Sequence, residues 1–122
     1  MTKTKIRRLL IVEDDQDILE LLTQVFEQEN FEVFVATSGE KALEWLQKNN
    51  ADIVISDIFM PNGTGIWLVE KLRNEGNNIP VFLITAGNDY TQSQVIELGA
   101  NGLFNKPFNI EILEAALEEI FI

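Results

Sequence analysis

The chain has 122 residues, 46% hydrophobic and 24% charged, which fits one folded domain with its own core and argues against a disordered segment. Acidic residues outnumber basic residues by 20 to 9, and the net charge of −11 opposes direct binding to nucleic acid. Because the sequence contains no Cys and no His, disulfides, thiolate chemistry and imidazole catalysis are excluded.

The N-terminal segment starts with polar and basic residues and continues into a short apolar run that meets acids at Glu13. That run is too short to cross a membrane, and no small-residue cleavage site follows it. We therefore expect a cytoplasmic protein without a membrane partner. We expect residues 1–122 to form a single domain, which can be a complete small protein or one module of a longer one.

Short strand-like runs alternate five times with longer runs of helical periodicity. The predicted strands are Arg8–Val12, Glu32–Ala36, Ile53–Ser56, Pro80–Thr85 and Gly102–Asn105. The predicted helices are Asp17–Glu29, a helix capped by Ser38 that ends at Lys48, Gly65–Asn74, a weaker helix from about Tyr90 to Leu98, and a last helix from Asn109. The apolar stripe of the weak helix consists of Thr91, Val95 and Leu98. The stripe of the last helix consists of Ile110, Leu113, Leu117 and Phe121.

This alternation predicts an α/β fold of the doubly wound (βα)5 type, with five parallel strands in the order 2-1-3-4-5, as in flavodoxin-like folds. In that order strands 1 and 3 flank the point where the connections reverse direction, and such sheets bind ligands there. Glu13 and Asp14 follow strand 1, and Asp57 follows strand 3. Several carboxylates at one edge repel one another unless a hard cation such as Mg²⁺ lies among them.

Four short motifs at the ends of predicted strands carry a resemblance to a known family. They are Ile11-Val12-Glu13-Asp14-Asp15, Asp57-Ile58-Phe59-Met60-Pro61-Asn62-Gly63-Thr64-Gly65, Ile84-Thr85-Ala86 and Lys106-Pro107-Phe108. In this order they resemble the receiver domain of two-component response regulators, over a span from about Lys5 to Phe121. Each motif alone has an ordinary explanation as a turn or helix cap, and their joint placement at one sheet edge favours the functional interpretation.

The resemblance implies that Asp57 accepts a phosphoryl group from a histidine of a sensor kinase or of a phosphotransfer protein. It also implies that Thr85 and Lys106 bind oxygens of that group, and that the Lys106-Pro107 peptide is cis. As in its relatives, the domain would catalyse only its own phosphorylation and dephosphorylation, and it would not be an enzyme acting on a separate substrate.

The resemblance further implies a Mg²⁺ site. Its expected ligands are Asp57, Asp14 and the backbone carbonyl of Phe59, with Glu13 acting through water. Asp15 lies one position beyond the acidic pair and is expected to start the first helix instead, where a carboxylate suits the positive end of the helix.

The expected output is contact with a downstream protein or effector domain, through the face formed by helix 4, strand 5 and helix 5. That face is expected to include Glu111, Glu114 and Glu118. By the resemblance, it is expected to switch when Asp57 is phosphorylated.

The chain departs from the family pattern at four positions. Leu103 stands where receivers commonly carry Tyr or Phe on strand 5, and Phe104 is expected on the opposite side of that strand. Phe59 and Gly87, two residues beyond Asp57 and Thr85, offer no polar side chain to orient water. Trp67 is predicted to lie opposite the apolar stripe of helix 3 and to be exposed, where it could serve an interface.

Two other classes of protein share parts of this pattern. A flavodoxin-like FMN carrier has the same topology, but Glu13, Asp14 and Asp15 would repel the phosphate that its first loop must bind. A phosphatase with an aspartate nucleophile also uses acids at strand ends and Mg²⁺. It generally needs a second Asp two residues after the nucleophile, where this chain has Phe59.

Overall fold

Five parallel strands and five helices alternate in the computed structural model, which describes residues 7–107 and 109–121. The elements are β1 (Arg7–Val12), α1 (Gln16–Gln28), β2 (Phe31–Ala36), α2 (Gly39–Lys48), β3 (Ile53–Asp57), α3 (Gly65–Asn74), β4 (Val81–Thr85), α4 (Gln92–Glu97), β5 (Gly102–Asn105) and α5 (Ile110–Ile120). The beginning of the predicted resemblance at Lys5, and Phe108 of its last motif, lie outside the described residues.

The strands form one sheet in the order β2-β1-β3-β4-β5, and every neighbouring pair is parallel. This confirms the predicted doubly wound fold. Helices α1 and α5 pack on one face of the sheet around a core that contains Phe26 and Leu117. Helices α2, α3 and α4 cover the other face around a core that contains Leu46, Leu68 and Val95. With both faces covered, the central strands β3 and β4 are buried along their whole length.

Helix α4 (Gln92–Glu97) is shorter than the predicted range from about Tyr90 to Leu98, because Thr91 and Leu98 are its caps and Tyr90 precedes it. Thr91 caps the helix in a capping box with Gln94. Its side chain is exposed and bonded to the Gln94 N–H, so it contributes nothing to the apolar stripe. Gly99, which has a φ of +109°, lies just beyond the C-cap Leu98. Val95 is the buried residue of this helix, which leaves α4 with little core contact.

Trp67 is not the exposed aromatic residue that the helical pattern of α3 predicts. Its side chain is half-buried and packs against the core on the α2–α3–α4 face, and the ammonium of Lys71 lies 5.8 Å from the ring. The ring reaches this position because it lies beside the turn at Gly63, where a Cβ would come within 3.1 Å of Trp67 Cε3. The neighbouring loop thus partly buries Trp67, although this residue lies opposite the apolar stripe of α3.

The described helices include none that is long and apolar enough to cross a membrane. The stripe of α5 is oriented as predicted, with Leu113 and Leu117 fully buried and with Ile110 and Phe121 half-buried at its ends. The edge that matters for function is the one where β1, β3, β4 and β5 end, because the loops that follow these strands meet there.

Replacement of Gly65 by Ala should destabilise the protein although Ala is the better helix former. Gly65 opens α3, and its N–H donates to Ile58 O at 2.9 Å. A Cβ at this position would overlap the carbonyl oxygen of Asp57. We expect Gly65→Ala to lower the free energy of unfolding by about 1–3 kcal/mol, as overpacking does. Urea unfolding measures this loss.

The matched control is Glu70→Ala on the exposed side of the same helix, which should change stability by no more than about 0.5 kcal/mol. Equal stability of Gly65→Ala and Glu70→Ala would show that the loop after Asp57 moves aside without cost, contrary to this interpretation.

Candidate functional site

Three carboxylates converge where β1 and β3 end. The two strands are neighbours in register, with Val12 opposite Ser56, so the residues that follow them lie side by side. Oxygens of Glu13, Asp14 and Asp57 all lie within 4.8 Å of one another. Glu13 and Asp57 are buried, with 2% and 7% of their surface exposed, whereas Asp14 is exposed. The structure therefore brings the predicted acidic residues together at one edge of the sheet.

Lys106 joins two of these carboxylates. Its Nζ donates a 3.0 Å hydrogen bond to Glu13 Oε1 and another 3.0 Å bond to Asp57 Oδ2. The residue follows β5, two strands away from β3, so its long side chain reaches across the end of β4. Its backbone N–H donates to Thr85 O at 2.7 Å, and the following peptide bond to Pro107 is cis, as predicted.

The pKa values show how this ion cluster is balanced. Burial raises the pKa of Glu13, and the charge of Asp57 adds to that effect, while hydrogen bonds from Lys106 and from the Asp15 N–H oppose it. Burial by itself would lower the pKa of Lys106, but its bonds to both carboxylates outweigh burial and raise it. The single ammonium thus offsets only part of the cost of holding Glu13 charged.

A divalent cation fits the donor set of this site. Three carboxylates supply hard oxygen ligands on one side, and the exposed Asp14 leaves room for water, which Mg²⁺ usually keeps. Soft metals prefer thiolate and imidazole, which this chain does not contain. Glu13, Asp14 and Asp57 thus form an acidic cluster that could hold a metal ion, and their roles as ligands stay a prediction.

Thr85 lies at the end of β4 beside this cluster and is completely buried. Its Oγ1 accepts a 3.1 Å hydrogen bond from the Gly87 N–H. Because a hydroxyl can accept and donate at once, the Thr85 proton remains able to bond to another oxygen. The hydrogen bond also ties Thr85 to the loop that leads to α4.

Asp15 belongs to α1, as the sequence predicts. Its carboxylate caps the helix by accepting from the N–H groups of Asp17 and Ile18. Its own N–H donates to Glu13 Oε2 at 3.2 Å, which helps to hold that buried carboxylate in place. The third acid of the motif therefore supports the site by capping α1 and by holding Glu13 through its N–H.

Strand β5 follows the predicted arrangement around Leu103. Leu103 packs against the core on the α4 side, whereas Phe104 lies on the opposite face with its ring 5.7 Å from that of Phe82. The Leu103 N–H donates to Gln92 Oε1 at 2.8 Å. This bond between α4 and β5 was not foreseeable from sequence, because a Gln in a polar helix face carries no distinctive signal.

Glu114, one of the acids predicted for the output face, lies near the end of α1. The pKa of Glu114 is raised, first by partial desolvation and then by Glu29 at the end of α1, with smaller effects from Glu111 and Glu118. The Glu114 carboxyl therefore lies close to Glu29, and the inclusion of Glu111, Glu114 and Glu118 in the output face stays a prediction. Ile112 lies about 200° around α5 from Glu114 and is 59% exposed.

Comparison with known proteins agrees with the geometry of this edge. The family described as "Response regulator receiver domain" matches residues 9–118. The chain is 36% identical over 114 residues to the transcriptional regulatory protein CpxR of Escherichia coli (strain K12), which covers 93% of this chain. It is also 35% identical over 102 residues to the response regulator SaeR of Staphylococcus aureus (strain USA300), an alignment that covers 83% of this chain. It spans only 48% and 44% of these two relatives, about half of each.

Solved structures show the same fold. The putative response regulator of Chloroflexus aurantiacus superimposes with a TM-score of 0.88 at 34% identity, covering 95% of this chain and 98% of that one. The response regulator TrrA of Thermotoga maritima, solved in complex with Mg²⁺ and BeF, gives a TM-score of 0.85 at 31% identity, with 93% and 98% covered.

Removal of the Lys106 ammonium should destabilise the metal-free protein. In Lys106→Met, Glu13 and Asp57 face each other without a counter-charge, and we expect a loss of about 1–3 kcal/mol in the free energy of unfolding at pH 8. The loss should shrink at pH 5. Burial keeps the Glu13 pKa in the folded protein above its ordinary 4.5, so the folded state binds a proton more readily and gains stability as the pH falls.

Urea unfolding in the presence of a chelator, at both pH values, measures these differences. Lys48→Met is the control, because the Lys48 side chain is 73% exposed. If Lys106→Met were as stable at pH 8 as Lys48→Met, the ammonium would not be what holds the two carboxylates together.

Proposed function

The chain belongs to the response regulator receiver domain family, and from this premise we propose that Asp57 is the residue that accepts the phosphoryl group in two-component phosphorelay signalling. The observation that carries the proposal is the position of the Asp57 carboxylate. It is nearly buried, bonded to Lys106, and adjacent to two further carboxylates at the edge of the sheet. We propose that residues 1–122 act as one such domain, in the cytoplasm.

The donor in this proposal is a phosphohistidine of a sensor kinase or of a phosphotransfer protein. An oxygen of the Asp57 carboxylate attacks phosphorus, the bond between phosphorus and the imidazole nitrogen breaks, and the nitrogen leaves with the electron pair. The product is an acyl phosphate on Asp57. Since a carboxylate is a weak nucleophile, the domain accelerates the reaction by positioning the group and by stabilising its charge.

Mg²⁺ would be held by Asp14, Asp57 and the backbone carbonyl of Phe59, with Glu13 acting through water. Asp14 is the exposed member of the acidic pair, and Glu13 is already engaged with Lys106 and the Asp15 N–H, which supports this division of roles. When bound, the ion neutralises charge on the transferred group and on the carboxylates around it. The related response regulator TrrA was solved in complex with Mg²⁺ and BeF, which supports a Mg²⁺ site in this chain as well.

Lys106 and Thr85 would bind the oxygens of the transferred group. The ammonium has three protons and already bonds to Glu13 and Asp57, so one donor can turn to a phosphoryl oxygen while the bond to Glu13 remains. The Thr85 hydroxyl keeps its proton available although it accepts from Gly87. Both residues then act as fixed donors for charge that develops during transfer.

The domain itself would catalyse only its own phosphorylation and the later loss of the group. A phosphatase acting on separate substrates is disfavoured because Phe59 stands where a second Asp would be needed for proton transfer. An FMN carrier is disfavoured because the loop after β1 presents carboxylates where a phosphate would have to bind.

The output in this proposal is contact with a downstream protein or effector domain, through the face that α4, β5 and α5 form. Ile96 on α4 and Ile112 on α5 are 50% and 59% exposed, and a protein partner would bury them. The net charge of −11 argues that this chain does not itself bind nucleic acid. CpxR and SaeR, which are named as regulators, are about twice as long as this chain.

An apolar recess beside the site suits the donor protein. It has a volume of about 500 Å³ and opens between the first turns of α1 and the loop before α5. Its lining includes Leu21, Pro107 and Lys106, so a partner seated there would come directly beside the Asp57 carboxylate. Leu21 is 51% exposed, which is high for a leucine on a helix that packs against the sheet.

Phosphorylation with acetyl phosphate and Mg²⁺ tests the central proposal. The parent protein should gain the mass of one phosphoryl group, and Asp57→Asn should gain none, because its amide cannot form the acyl phosphate. Asp17→Asn, which alters an exposed acid in the first turn of α1, is the control and should be labelled like the parent. Intact mass spectrometry is the measurement.

The same assay at several Mg²⁺ concentrations tests the metal ligands. Asp14→Ala should need much more Mg²⁺ than the parent to reach the same rate. Labelling that persists in Asp57→Asn would overturn the choice of acceptor. An unchanged Mg²⁺ requirement in Asp14→Ala would overturn the choice of ligand while leaving the acceptor intact.

The docking of the donor at the recess is tested by a charge placed on its rim. Leu21→Glu should slow transfer from a phosphorylated histidine kinase that labels the parent, by about tenfold, the effect of a 1.4 kcal/mol loss in binding. It should leave labelling by acetyl phosphate unchanged. Ile96→Glu alters an equally exposed apolar residue on α4 and is the control. Equal slowing by both variants would place the donor elsewhere.

A further inference from the structure

Two aromatic rings connect the loops that follow β3 and β4. Phe59 lies two residues beyond Asp57, and Tyr90 lies at the end of the loop that starts after Thr85. Their ring centroids are 6.3 Å apart, with an angle of 41° between the planes, within the range of attractive aromatic pairs. Because β3 and β4 are neighbours, this contact spans the gap between the loops on the Asp57 side of the sheet.

The two rings differ in how firmly they are held. Tyr90 is half-buried and packs against the core on the α2–α3–α4 face, directly before Thr91, which caps α4. Phe59 is 48% exposed, although it follows the nearly buried Asp57 by only two residues. Tyr90 is therefore the more firmly packed of the two rings, and it is an aromatic neighbour of the exposed Phe59 ring.

We propose that Tyr90 is a positioning residue that holds the Phe59 ring as an aromatic lid beside the acceptor, and that this lid slows hydrolysis of the acyl phosphate. This inference rests on the proposed function and adds Tyr90 to the residues that set the lifetime of the phosphoryl group. The lid consists of the Phe59 and Tyr90 side chains together.

The chemistry of hydrolysis explains why a lid at this place matters. A water oxygen attacks phosphorus, the bond between phosphorus and the Asp57 oxygen breaks, and Asp57 returns to a carboxylate while inorganic phosphate leaves. The attacking water must be aligned and must lose a proton to solvent or to a nearby base. Neither Phe59 nor Gly87 offers such a base, and a ring held across the loops also restricts where water can stand.

The lifetime of the acyl phosphate is the measurement that tests this role. After phosphorylation with acetyl phosphate and Mg²⁺ and removal of the donor, intact mass spectrometry follows the loss of the phosphoryl group. Tyr90→Ala should shorten the half-life by a factor of about 2 to 12, the range that corresponds to one lost aromatic contact. Tyr90→Phe keeps the ring and should keep the parent half-life.

A double-mutant cycle separates the lid from a general loss of structure. If Tyr90 acts through Phe59, Tyr90→Ala should have no further effect on the half-life in a Phe59→Ala background. The control is Phe34→Ala, which breaks a comparable ring contact with Trp45 at 4.9 Å on a strand remote from the loops after β3 and β4. That variant should leave the half-life unchanged.

The contact can also be observed directly, because Tyr90 is the single tyrosine of the chain. Protein labelled with 3-fluorotyrosine should give one ¹⁹F resonance, and Phe59→Ala should shift it, whereas Phe34→Ala should not.

The outcomes distinguish this proposal from the function on which it rests. A parent protein that gains no phosphoryl group contradicts the proposed function. If the parent is phosphorylated but Tyr90→Ala has the same half-life as the parent, the lid is overturned and the proposed function remains. The same conclusion holds if the effects of Tyr90→Ala and Phe59→Ala on the half-life are additive.

Discussion

The ion cluster of Lys106 with Glu13 and Asp57 is the interaction on which the arrangement of the site depends. Two buried carboxylates on neighbouring strands repel each other, and the ammonium is the counter-charge that the chain itself supplies. Lys106 can reach them only if β4 and β5 follow β3 in the sheet with their ends level, which the pairing of Thr85 with Asn105 provides. The bond from the Lys106 N–H to Thr85 O fixes the same register from the backbone side.

The same cluster lowers the stability of the folded chain, because it keeps a buried carboxylate next to a second one. The Glu13 pKa is raised because burial and Asp57 together outweigh the help from Lys106, so the folded chain carries a carboxylate in an unfavourable place. An apolar residue there would remove that cost but also the attraction for a cation. The charge imbalance that a cation would relieve is therefore a property of the folded chain, and it favours ligands that bring positive charge to Asp57.

The sequence predicted those parts of the site that depend on strand order alone. Asp57 and Thr85 end buried strands, and Glu13 and Asp14 directly follow another. Parallel strands deliver such residues to one edge whatever the details of packing. The contacts of Tyr90 with Phe59 and of Gln92 with Leu103 depend on side-chain rotamers in loops and on a polar helix face, where no periodicity exists. The nearness of Glu114 to Glu29 belongs with these contacts, because the apolar stripe of α5 fixes its buried side but not which neighbour borders each flank.

Helix α4 is held in place by such local contacts on the path between the acidic site and the exposed face of α4. Leu103 has no ring to rotate, and the loop from Thr85 to Tyr90 connects the acceptor edge to α4: the Gly87 N–H donates to Thr85 Oγ1 near its start, and Tyr90 contacts Phe59 at its end. At the other end, Arg73 donates to the carbonyl oxygens of Gly99 and Asn77 and anchors the turn after α4 to α3. Val95 is the one buried side chain of α4, and the helix is held at its start by the bond between Gln92 and Leu103 and at its end by Arg73, so its position depends on a few polar contacts more than on the core.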